Sequence, residues 1–162
     1  MRRPRIAVLA AAALAGALVT WIVTADRIPE LTAGRLDQAR ERWASASYPS
    51  YRLSLETEGS ELQDSRFEIT VREGQAPVVV HDGLAATGDG AMYTVAGLFE
   101  ILAREMALAE EPSRSFGAPA GYRAYLFASF DETRGYPLRY RRVVGGSKQW
   151  IEWAVRDLQP LP

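Results

Sequence analysis

The chain contains no cysteine. That excludes a disulfide framework, a thiolate metal site, a cysteine nucleophile and a lipidated bacterial N-terminus, and it is compatible with any redox compartment. Histidine is nearly as scarce, with His81 the only one. A serine triad needs a histidine base, an orienting acid and a presented serine, and no Gly-x-Ser-x-Gly elbow occurs. His81-Asp82 therefore reads as a partly exposed strand end. With one histidine and no cysteine, a zinc site would fall mostly to carboxylates, a poor donor set for that metal. The glycine-rich stretch with Gly83, Gly88 and Gly90 is not followed by Lys-Ser or Lys-Thr, so it is not a phosphate loop. Asp82 and Asp89 lack the regular oxygen spacing of a calcium loop. Catalytic, cofactor-binding and metal-ligating residues are accordingly assigned to none of the chain.

Positive charge is also missing where nucleic acid would need it. The chain carries 19 basic and 20 acidic residues. Three of the basic ones, Arg2, Arg3 and Arg5, precede residue 26 and no acid does, leaving 16 basic against 20 acidic residues beyond. A mildly acidic domain is a poor binder of phosphate backbones. What is present at the start is a run of 20 uncharged residues, 6–25, IAVLAAAALAGALVTWIVTA. That length crosses a bilayer's hydrocarbon core as a helix. The arginines before it and Asp26 after it keep the amino end in the cytoplasm, and Trp21 takes the interfacial place near the far end. Residues 1–25 read as an uncleaved signal anchor in the cytoplasmic membrane. The competing reading is a signal peptide cleaved after Ala25, at Val23-Thr24-Ala25, which secretes the domain. Both place residues 26–34, a linker, and residues 35–162, the domain, outside the cytoplasm.

Hydrophobic periodicity sets the domain's order. Leu36, Ala39 and Trp43 recur at helical spacing, giving a helix over 31–45 that stops before Tyr48-Pro49. Tyr51, Leu53, Leu55 and Thr57 alternate with polar residues, as do Phe67, Ile69 and Val71, so 51–57 and 66–73 are strands. Residues 58–65 read as a polar connection, 77–81 as a returning strand and 82–90 as a loop. Thr94 caps a second helix with the stripe Val95, Leu98, Phe99, Leu102, Met106 and Ala109. Strands follow at 122–130, 137–144 and 149–158. Short turns between consecutive strands imply antiparallel pairing. The expected fold is α+β: about six antiparallel strands, ordered helix, three strands, helix, three strands, with both helices on one face.

Several local signatures occur in order: Trp43 followed by Tyr51-Arg52, ITVREG at 69–74, TVAGLFEIL at 94–102, FDETRGYPLRY at 130–140 and VRDLQP at 155–160. Together they resemble the bacterial exported family catalogued as domain of unknown function 6174, over roughly residues 36–160. The resemblance implies export and this architecture, and it brings no activity with it. Many members carry a cysteine pair between the first two strands, where this chain has GSELQDS at 59–65.

Two candidate surfaces remain. Asp131-Glu132, with Arg139 or Tyr136, would serve a small carboxylate-dependent hydrolase. Such chemistry needs two carboxyls about 5–10 Å apart across a cleft, whereas adjacent residues of an extended chain point to opposite faces. Gly135 and Tyr136-Pro137 instead make a hairpin turn leading into a strand. The favoured reading is a non-enzymatic binding module of the cell envelope that takes a protein or peptide through its sheet. Tyr122, Tyr140, Trp150 and Trp153 are its candidate surface, with Trp150 and Trp153 on opposite faces of the last strand, so that one is wetter.

Overall fold

The computed structural model describes residues 28–74, 78–86, 90–110 and 116–162. The expected signal anchor falls outside them. Among the described residues no helix is long and apolar enough to cross a membrane.

Helix α1 (Ala33–Ala46) opens on Thr32, whose hydroxyl accepts from Arg35 N, and closes on Ser47 in a left-handed conformation. Strands β1 (Tyr51–Gly59), β2 (Leu62–Val71), β3 (Val78–His81) and β4 (Leu84–Ala85) follow. A single 3-10 turn (Gly90–Tyr93) leads to α2 (Val95–Glu110), capped by the Thr94 hydroxyl, which accepts from Gly97 N at 3.1 Å. Strands β5 (Ala124–Phe130), β6 (Pro137–Val144) and β7 (Trp150–Pro160) complete the chain. The seven strands form one antiparallel sheet in the order β4-β3-β2-β1-β7-β6-β5.

This is the expected α+β architecture with one strand more. The added strand is β4, placed where a loop was expected. Asp82 (φ 48°) and Gly83 (φ 83°) both take positive φ and turn β3 back on itself, an Asp-Gly signal legible in the sequence. The polar connection expected at 58–65 shrinks to the turn at Ser60-Glu61, because β2 begins at Leu62. Residues 62–66 lack alternation since both their faces are wet, and only the ladder to β1 holds them.

Alternation along the strands assigns the two faces. Leu53, Leu55, Ile69, Val71, Leu126, Ala128, Tyr140, Trp153, Val155 and Leu158 share one core with Leu36 and Ala39 of α1 and Val95, Leu98, Phe99 and Leu102 of α2. Both helices therefore cover the same face. Polar groups seal this layer: Val95 N donates to Tyr51 Oη at 3.1 Å, Tyr140 Oη donates to Glu105 Oε2 at 2.5 Å, and Arg142 Nη1 reaches both Glu105 oxygens at 2.7 Å. Residues 29–31 lie along the outer edge of β5, with Leu31 N donating to Leu126 O and Ala128 N to Pro29 O, each at 2.9 Å. The edge-strand liability on that side is thereby covered.

Burial, and then the Glu105 carboxylate beside it, push the Tyr140 phenol well above its ordinary value of 10.0; burial raises Tyr51 and Tyr136 as well. A folded-state pKa above the unfolded one means the neutral phenol's stabilisation is complete below pH about 10 and declines as pH climbs from there toward the folded value. Tyr140→Phe removes one of these linkages at the cost of a hydrogen bond worth about 1 kcal/mol. The urea midpoint of the wild type should therefore fall more than that of Tyr140→Phe between pH about 9 and about 11. Equal slopes for the two proteins would contradict this assignment.

Candidate functional site

Among the described residues, no helix covers the other face of the sheet. Its side chains are fixed by strand register and form rows across the strands. One row runs Tyr125, Val143, Trp150 across β5, β6 and β7. The next runs Phe127, Arg141, Glu152, Glu58, and the third Ser129, Arg139, Ala154, Glu56, Arg66. Aromatic groups thus gather at the β5–β7 end of this face and carboxylates at its β1–β2 end.

Charge on the face is largely answered in place. Glu152, 6% exposed, accepts from Arg139 Nε in a close ion pair and lies 3.8 Å from Arg141 Nε. Arg156 Nε donates to Glu56 Oε2 at 2.6 Å. The Arg141 guanidinium lies over the Trp150 ring at 5.5 Å, and Arg123 over Tyr125 at 5.1 Å. Such cation–π contacts on exposed rings contribute about 0.5–1 kcal/mol each and hold the rings in place.

The four aromatic candidates separate. Trp153 and Tyr140 are buried on the helix side, their ring centroids 5.4 Å apart. They are core, so their place in an exposed surface is corrected: even-numbered positions of β6 and the odd-numbered positions of β7 up to Val155 face the helices, and Tyr140 is drawn inward by Glu105. Trp150 is half-buried on the open face, as the contrast between the two tryptophans required. Tyr122, 56% exposed, folds over Gly146, where an added Cβ would lie 2.6 Å from its ring. Sequence reasoning missed Tyr125, 42% exposed, and Phe127 on the same face. The signal was available, since alternation along β5 puts Ala124, Leu126 and Ala128 in the core and leaves the odd positions outside.

The carboxylate pair does not assemble a reaction centre. Asp131 Oδ1 accepts from Thr133 N at 3.0 Å and Arg134 N at 2.5 Å, an Asx turn that spends the carboxylate on local backbone. Glu132 is exposed, Tyr136 is buried against Trp43 at 6.3 Å, and Arg139 is paired with Glu152 on the open face. The stretch is the expected hairpin: Asp131 N donates to Tyr136 O and Gly135 N to Asp131 O, each at 2.9 Å.

A groove of about 260 Å³ lies at the carboxylate end of the open face. Side chains of Glu56, Glu58, Asp64, Asp82 and Glu152 line it, against Arg66 and Arg156. His81 sits beside it, stacked on Phe67 with centroids 4.4 Å apart, its Nε2 3.2 Å from Asp82 Oδ2. Compared with known proteins, the chain matches no family model and no curated protein.

Proposed function

We propose that the chain is a non-enzymatic binding module of the cell envelope, held at the outer face of the cytoplasmic membrane by residues 6–25 or released after Ala25, and that it takes a protein or peptide on the helix-free face of its sheet. The observation that carries the reading is the division of the sheet. Both helices cover one face, while the other presents Tyr122, Tyr125 and Trp150 together with a ladder of charged pairs. Exposed aromatics beside arginines suit recognition, since they bury large area at little entropic cost. The resemblance of residues 36–160 to that exported family agrees with this reading, and the acidic balance of 26–162 disfavours nucleic acid.

Crosslinked capture from envelope extract tests it. The double variant Tyr122→Ser/Tyr125→Ser should lower capture by about tenfold, the loss expected when two exposed aromatic contacts worth about 1.4 kcal/mol together are removed. Glu41→Ser/Arg104→Ser, which alters exposed positions on the two helices, should leave capture unchanged. Loss confined to the helix-side variant would overturn the assignment.

A further inference from the structure

We infer that the β5–β7 end of the open face takes an acidic segment of another polypeptide, seating one apolar side chain between two ring-bound arginines. The inference rests on the open-face reading above and names the chemistry of what that face takes. Strand register builds the site. Tyr125 pairs with Val143, and Val143 with Trp150, so two rings stand on either side of a half-buried valine. Neighbouring strands lie about 4.8 Å apart, which sets the two ring-bearing positions about 10 Å apart. Each ring holds a cation: Arg123 lies over Tyr125 at 5.1 Å, and Arg141 over Trp150 at 5.5 Å. A ring face attracts the guanidinium as a whole and offers its N–H groups no lone pair, so these donors are left for a carboxylate.

Charge is unbalanced at this end. Arg123, Arg139 and Arg141 stand there with two acids, Glu152 and, across the β5 edge at the position paired with Phe127, Glu30. Glu152 is 6% exposed and closely paired with Arg139. It lies 3.8 Å from Arg141, whose side chain is 45% exposed. Arg123 is exposed and takes part in no ion pair among the described residues. Three arginines against two acids leave positive charge in excess. The other end of the face gathers Glu56, Glu58, Asp64 and Asp82 around its groove and repels an acidic ligand. An acidic segment is therefore directed to the ring end.

An extended segment turns every second side chain to one face, so acids on either side of one apolar residue stand about 13 Å apart, against about 10 Å between the rings. The long arginine side chains close that difference, and each meets a carboxylate with paired N–H donors. The apolar residue between them rests on Val143. That seat separates such a segment from a simple polyanion, which has nothing to place there.

The test uses the full chain held in phosphatidylcholine nanodiscs and the acetylated, amidated heptapeptide Ser-Glu-Ser-Leu-Ser-Glu-Ser, read by titration calorimetry. Binding is expected, with Kd raised about tenfold by Arg123→Gln/Arg141→Gln. Serine in place of the peptide's leucine should also raise Kd about tenfold, with the protein itself unaltered. A peptide with lysine in place of both glutamates should not bind. Glu58→Gln/Asp64→Asn, at the other end of the face, should leave Kd within about twofold. No binding, equal binding of the lysine peptide, or indifference to either the arginine variant or the leucine replacement overturns the inference. Self-association of the chain that is lost in Arg123→Gln/Arg141→Gln, with no peptide binding, assigns the face to a second copy and overturns it too. If the peptide fails while envelope capture still depends on Tyr122 and Tyr125, the open-face reading stands without an acidic partner; if that dependence is lost as well, both fall.

Discussion

Gly135→Ala should lower the free energy of unfolding by about 3 kcal/mol or more, a large share of the stability of a domain this size. Two costs act together. Gly135 holds φ +84°, which costs an L side chain about 1–2 kcal/mol. An added Cβ would also lie 2.3 Å from Ala39 O, 2.7 Å from Arg42 Cβ and 2.9 Å from Trp43 N. These are backbone and near-backbone atoms of α1, so relief requires the helix to move off the sheet, and Trp43 with it from Tyr51 and Tyr136. Gly121 separates the two costs, because it has the same φ of +84° with nothing within 4 Å of an added Cβ. Gly121→Ala should cost only about 1 kcal/mol. Urea unfolding of both variants measures the difference, and equal losses would mean that α1 is not seated on this turn.

Glu105→Ala should cost about 3 kcal/mol, at the lower end of what breaking a buried ion pair costs. Glu105 is 17% exposed and joins α2 to β6 through Tyr140 and both of its contacts to Arg142. Its removal strands an arginine that is 21% exposed and packed over Phe116 at 4.0 Å, with its Nε already buried and without a partner. The exposed pair Arg156–Glu56 is the contrast, with side chains 61% and 38% exposed. Glu56→Ala should change stability by less than about 1 kcal/mol. A loss for Glu105→Ala no larger than for Glu56→Ala would contradict the clamp between helix and sheet.

Much of this fold was legible from spacing. Residues 137–144 and the two helices fall where periodicity and caps put them, because each has one dry face and a stop signal. The ends of β2 and β4 were not legible, since neither has a dry face there and pairing alone defines them. The candidate site was half legible. Opposite faces for Trp150 and Trp153 followed from period two, but which face the helices cover did not, and Tyr140 was misplaced for that reason. Alternation states that two faces exist; it does not state which one a distant Glu105 will reach. Asp131 shows the converse, where turn chemistry read from sequence matched the observed Asx turn and removed a tempting carboxylate pair from consideration.

The central claim is that the helix-free face makes the contacts. A photo-crosslinking residue at position 125, on that face, compared with one at position 104, exposed on α2, tests it in intact cells. The account predicts a discrete adduct from position 125 and none from position 104. An adduct from position 104 alone, or from neither, would contradict it.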